Sequence, residues 1–170
     1  MTKFTDLGKN YINGEWVEGL SERTYQNVNP YNQTVIAAIP VATIDQVREA
    51  YQAASTAQKE WAKSTPERRK EVLEKAAQYI KDHADDIVNM IIEESGGTIL
   101  KGRVEVKLAL EELEEATNMV NEIYTYQEVS SHTPGKSNRV YRLPLGVITC
   151  ITPFNFHMNL ACEQLLRPLH

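Results

Sequence analysis

The chain has 170 residues, 42% of them hydrophobic and 24% charged, a mixture suited to one sizeable core or one to two small domains. Its 18 Lys and Arg against 23 Asp and Glu leave a formal charge of −5, which excludes an overall basic field for nucleic acid. No apolar run is long enough to span a membrane, the start from Met1 to Lys9 is polar, and Cys150 and Cys162 are too few for a disulfide scaffold, so the cytoplasm is the expected setting.

In chain order the first elements read as strands. "YINGEWV" places Asn13-Gly14 between short apolar flanks, and both residues tolerate the positive φ of a type I′ hairpin. "TYQNVNP" runs into Pro30 and a polar turn around Asn32 and Gln33. "TVIAAIPVA" is a second β-branched run, which Pro40 marks as an edge strand or strand end.

At Thr43 the period changes to helical. Thr43 and Gln46 fit a capping box, and Val47, Ala50, Ala54, Ala57 and Trp61 then form one apolar stripe. Thr65-Pro66 opens another helix, with Thr as cap and Pro in the first turn, and Val72, Leu73, Ala76 and Ile80 as its stripe. A continuation through Ile87, Val88, Ile91 and Ile92 stops at Gly96-Gly97. The longest helix is predicted from about Thr98 to Ile123, turning Ile99, Val106, Leu110, Leu113 and Val120 inward. Glu111, Glu112, Glu114 and Glu115 read as its solvated face.

"YTYQEVSS" and "NRVYRL" are strand-like and flank the Pro-Gly turn in "HTPGKS", which predicts a protruding hairpin. Such a hairpin is marginal alone in water and calls for a partner. "LGVITCIT" follows, apolar almost without alternation, as in a parallel strand covered on both faces. It leads through Pro153 to Asn155 between Phe154 and Phe156, and "FNFHMNLACEQLLRPL" would be the return helix of a βα unit. Ligands of open α/β sheets bind at such loops, beyond the carboxyl ends of strands. An asparagine there can donate two N–H bonds while staying neutral. Aimed at a carbonyl oxygen that gains charge, one such donor stabilises a transition state by roughly 3 kcal/mol. A turn or helix cap is the commoner use of asparagine, and spacing alone leaves both readings open.

"RLPLGVITCITPFNF" resembles the signature of the aldehyde dehydrogenase superfamily, in which a Pro-x-Gly-Val strand leads into an Ile-x-Pro-aromatic-Asn-Phe loop. "YINGEWV", "NPYNQTVIAAIPVAT", "REAYQAASTAQKEWAKSTPERRKEVL" and "EESGGTILKGRVEV" agree with that family in order, and the agreement runs to Ala161 or Cys162. The resemblance implies the α/β fold of that family's N-terminal part: short hairpin strands, a helical layer, an oligomerisation hairpin and a first parallel cofactor-domain strand. Residues 1–123 would form strands and helical layer, 124–142 the oligomerisation arm, and 143–170 the opening of the Rossmann-like cofactor site.

By the same resemblance, Asn155 matches the asparagine that, with a backbone N–H, holds the oxyanion of a cysteine thiohemiacetal. Ile151, Thr152, Pro153 and Phe154 match the loop lining the nicotinamide cleft, for NAD or NADP. The implied reaction takes an aldehyde to a carboxylic acid through a cysteine adduct, with release by water, or by coenzyme A in some members. The implied partners are the aldehyde and, through the 124–142 hairpin, further copies of the chain, with neither nucleic acid nor membrane.

The family's cysteine, glutamate and lysine motifs are not found here, so this chain alone is expected to be inactive. His157 replaces the family's usual proline, and "CEQLLRPLH" departs from the pattern, which suggests a frameshifted or prematurely terminated gene product. Two other readings are a non-catalytic module that pairs with full-length relatives and a poorly folded remnant. Cys150 sits in an apolar run, where a thiol is usually inert, and Cys150, His157 and Cys162 lack zinc-ligand spacing. "GTILKGRV" imitates a phosphate loop but has Arg103-Val104 where Lys-Ser/Thr belongs.

Overall fold

A computed structural model describes residues 8–141 and 143–166. The expectations that rest on residues 1–7, on Arg142 and on residues 167–170 lie outside the described residues.

The first hairpin pairs β1 (Lys9–Ile12) with β2 (Glu15–Glu18), placing Tyr11 opposite Trp16. Its turn is Asn13-Gly14 at φ 52° and 87°, the conformation that this dipeptide tolerates best. The second hairpin joins β3 (Thr24–Val28) to β4 (Val35–Pro40), with an irregularity at Asn27–Val28. Pro40 ends its strand, where a missing N–H costs no ladder bond.

The helix starts follow from local side chains. α1 (Ile44–Trp61) opens on the expected capping box: Thr43 Oγ1 accepts the Gln46 N–H at 3.3 Å, and Gln46 Oε1 accepts the Thr43 N–H at 3.1 Å. Gln46 also ties α1 to the first hairpin. Its Oε1 accepts the Leu20 N–H at 2.9 Å, and its Nε2 donates to the Glu18 carbonyl at 2.8 Å. α2 (Pro66–Asp82) starts at Thr65-Pro66, α3 (Ala84–Ser95) stops at Gly96 with φ 64°, and α4 (Ile99–Met119) is capped by Thr98. α4 then tightens into a 3-10 turn over Val120–Tyr124, earlier than the predicted helix end.

α4 is the hub of the core. One cluster joins Leu73 of α2 with Leu113, Ala116, Val120 and Leu166, the last from α5 (His157–Leu166). The other joins Val88 and Ile91 of α3 to Val106, with Met158 packed against it. Gly102 allows that approach, because a Cβ there would lie 3.0 Å from Val88 Cγ1. The third hairpin pairs β5 (Tyr126–Ser130) with β6 (Ser137–Tyr141), and both strands are exposed throughout.

The α/β character is as the sequence predicts, but the covered parallel strand is not formed. All three sheets among the described residues are two-stranded and antiparallel. The stretch from Leu145 to Thr152 makes no strand pairing, and Leu145 is 81% exposed. A strand exists through backbone bonds to a neighbour, and no described segment supplies them. The α1 stripe is uncovered for the same reason: Val47, Ala54 and Ala57 are exposed instead of facing a core. Trp61, Ala54 and Ala57 line an open groove of about 820 Å³ whose other wall includes Gly146 and Val147. Ala76, and Ile99 in the first turn of α4, are likewise exposed rather than inward.

Candidate functional site

Between the third hairpin and α5, side-chain hydrogen bonds tie described residues of the chain to its helices. The Tyr51 and Thr149 hydroxyls hydrogen-bond across from α1, and the Cys150 thiol donates to the Gln164 carbonyl at 3.6 Å. Beyond Cys150 lie the sequence-predicted residues, contiguous in a single loop. Ile151 and Phe154 present nearly all of their apolar surface to solvent, Thr152 is half-buried, and Pro153 and Asn155 are exposed. Phe154, Asn155 and Phe156 form a turn directly ahead of α5.

The first turn of α5 distinguishes the uses to which Asn155 is put. The Phe156 carbonyl accepts the Leu160 N–H at 2.9 Å, so Phe156 occupies the cap position and Asn155 lies one residue outside the helix. His157, where a proline would bring no N–H, holds the turn by donating from Nδ1 to the Phe154 carbonyl at 3.2 Å. Among the described hydrogen bonds none involves the Asn155 carboxamide. The cap bond comes instead from another helix: Glu105 Oε2 of α4 accepts the Met158 N–H at 3.0 Å.

Glu105 is fully buried. A carboxylate out of water is costly unless it is paired and fully hydrogen-bonded. Both conditions are met, because its other oxygen forms an ion pair with Lys101, one helical turn earlier. Lys101 Nζ in turn lies 5.4 Å from the centre of the Phe156 ring. Lys101 and Glu105 were not singled out from sequence. Their one signal was a carboxylate between Gly102 and Val106, on what proves to be the buried face of α4.

The two thiols are not disposed as nucleophiles. Burial, and to a lesser degree the Glu112 carboxylate, push the Cys162 thiol above its ordinary range. Cys150 is half-buried with its thiol engaged by the Gln164 carbonyl. "GTILKGRV" is the entry to α4, capped by Thr98, and not a phosphate loop. No described helix is long and apolar enough to cross a membrane.

Comparison with known proteins agrees with this arrangement of elements. Residues 16–170 match the model of the Aldehyde dehydrogenase family, and the chain belongs to that family. It is 48% identical over 162 residues to AldY of Bacillus subtilis (strain 168), itself only provisionally named an aldehyde dehydrogenase, covering 95% of this chain and 33% of AldY. It is 40% identical over 159 residues to a vanillin dehydrogenase of Corynebacterium glutamicum, covering 94% of this chain and 33% of that protein. Among solved structures, an NAD-dependent benzaldehyde dehydrogenase from Corynebacterium glutamicum superposes with a TM-score of 0.90 at 38% identity, over 99% of this chain and 37% of that one. The chain thus spans about a third of the length of the curated relatives it matches.

Proposed function

We propose that this chain supplies the opening portion of an NAD- or NADP-dependent aldehyde dehydrogenase, and within it the side-chain donor that steadies the reaction's oxyanion. The observation that carries the reading is the Asn155 carboxamide, exposed at the lip of the loop and relieved of capping duty by Glu105. In the proposed reaction a cysteine thiolate from elsewhere in the complete enzyme attacks the aldehyde carbon, and the carbonyl π electrons move to oxygen. The Asn155 N–H donates to that oxygen, placing positive dipole where negative charge develops. Collapse of the adduct expels hydride and leaves a thioester, which water or coenzyme A then cleaves.

The loop residues fit a dinucleotide. Ile151 and Phe154 are 83% and 86% exposed, apolar surface that a flat ring would cover, and Thr152 brings a hydroxyl beside them. A nicotinamide held there would supply the acceptor for the expelled hydride. Covered by the bound ring, Ile151, Pro153 and Phe154 would keep water from that region, and Asn155 would orient the carbonyl. Relatives named for vanillin and benzaldehyde make aromatic aldehydes the first substrates to try. A cytoplasmic setting accompanies this reading, in keeping with two free cysteines.

Self-association through the 124–142 hairpin is part of the same proposal. Every residue of β5 and β6 is exposed, including Tyr126, Val129, Val140 and Tyr141, and an isolated two-stranded ribbon is marginal without a neighbour. The same exposure favours, as a second reading, a module that pairs with full-length relatives without turning over substrate.

The test is steady-state kinetics on the complete enzyme carrying this portion. Asn155→Ala is expected to lower kcat by about 100-fold, the usual effect of removing one oxyanion donor. An unchanged kcat would overturn the oxyanion role.

A further inference from the structure

Lys101, half-buried, and Glu105, fully buried, form an ion pair that the reaction itself does not use, and their placement asks for an explanation. The first N–H groups of a helix have no partner within it, and they are ordinarily satisfied by a Ser, Thr, Asp or Asn at the cap. α1, α2 and α4 follow that rule through Thr43, Thr65 and Thr98. α3, with His83 at its cap position, makes no such side-chain bond, and neither does α5 from its own cap position, which holds Phe156 and has no acceptor. Asn155, one residue earlier, would be a good capping side chain if the helix began one residue sooner. The chain instead sends a carboxylate from α4, 53 residues away, to the Met158 N–H.

We infer that the Lys101–Glu105 pair is the positioning device of the oxyanion loop, holding α5 in the register that keeps Asn155 outside the helix with its carboxamide free. The inference deepens the reading of Asn155 above and rests on it for its functional meaning.

Three observations converge on it. Glu105 is fully buried and divides its two oxygens between Lys101 and Met158. A negative charge at that point also meets the positive end of the α5 dipole. Lys101 Nζ also lies over the Phe156 ring of the loop, 5.4 Å from its centre. Together the pair grips both the cap residue and the second residue of α5, and Asn155 is the residue next to that grip. Val106, beside Glu105 in sequence, belongs to the core cluster against which Met158 packs, so the fastening point is itself rigidly held.

Amide exchange and NMR on the 170-residue chain test this. The Met158 amide of the native chain should be protected, although an amide at the second position of a helix ordinarily exchanges freely. In Glu105→Ala its exchange should accelerate by at least about tenfold, the equivalent of one charge-assisted hydrogen bond, while amides in the middle of α4 keep their protection. The Asn155 side-chain NH2 pair and the backbone signals of Phe154 to Phe156 should shift or broaden in the same variant.

Glu105→Gln retains an acceptor for Met158 and should restore most of both signals. A merely space-filling role for Glu105 would not distinguish the Ala from the Gln variant in this local way. Free exchange of Met158 in the native chain, or equal Met158 exchange and equal Asn155 signals in the native, Ala and Gln chains, overturns the inference. Should Glu105→Ala fail to fold, Glu105→Gln and Lys101→Met decide: protection kept in the first and weakened in the second supports it, and the reverse overturns it. Asn155→Ala should leave Met158 protected, so a failed oxyanion assignment would appear in kcat and not in this measurement.

Discussion

Only 3% of Arg69 is exposed, and its guanidinium is directed at the end of α1: Nε donates to Ser64 Oγ at 3.0 Å and Nη2 to the Trp61 carbonyl at 3.1 Å. The guanidinium carbon lies 5.0 Å from the Trp61 ring centre, so the cation meets both an aromatic face and the negative end of a helix. Arg69→Ala removes the charged donor from both acceptors, leaving the Trp61 carbonyl with only Ser64 as donor, and empties a packed site. We expect thermal or urea unfolding to show a loss of about 2–4 kcal/mol, and an unchanged stability would contradict the role. Cys162 is a different case, a thiol raised by burial and then by Glu112. The fold prefers its neutral form. The stability carried by that preference is therefore complete below the ordinary thiol pKa, and it is lost as pH rises through the folded value. Near about pH 8, alkylation followed by mass spectrometry should find Cys162 slower than free cysteine, and an equal rate would contradict its burial.

The helix starts of α1, α2 and α4 were legible in sequence because each is written by residues three apart: Thr43 with Gln46, Thr65 with Arg68, Thr98 with Lys101. The Asn13-Gly14 and Gly96 turns were legible for the same reason, since backbone sterics act within a dipeptide. The start of α5 was not, because its cap arrives from α4 and leaves no local signature. Arg69 was hidden similarly inside "PERRKE", where a solvated cation and a buried one look alike until α1 is placed. The apolar run from Leu145 misled in the opposite direction. Its composition records the surroundings of a covered strand, and the described residues do not include them. The third hairpin was legible as two strands, and its exposed faces carry a prediction. Val129 and Val140 share one face, being diagonal neighbours across the register. In the complete enzyme, Val140→Lys should shift sedimentation toward smaller species by putting an unpaired charge into the proposed contact. Unaltered sedimentation would remove the hairpin from the oligomer interface.

At the scale of the whole molecule, the helical layer closes on itself around α4, and much of the remaining apolar surface faces outward. Leu143, Leu145, Ile151 and Phe154 are all more than three-quarters exposed, and Trp61, Ala54 and Ala57 of α1 line an open groove. That distribution is what a portion of a larger α/β enzyme presents. It carries a fold and one proposed donor, but no thiol disposed to attack. The purified chain should produce no NADH from benzaldehyde or vanillin above a protein-free blank, and robust turnover would place a nucleophile within these residues.

In the reaction proposed, Asn155 acts through its N–H and not as a turn residue, and one kinetic comparison separates the two. Aspartate serves as well as asparagine in turns and caps, but it replaces the donor with a negative charge. In the complete enzyme carrying this portion, we expect Asn155→Asp to lower kcat by at least about 100-fold, as far as Asn155→Ala or further, because a carboxylate would repel the oxyanion that the carboxamide is proposed to hold. A variant Asn155→Asp that retains the native kcat would contradict the claim.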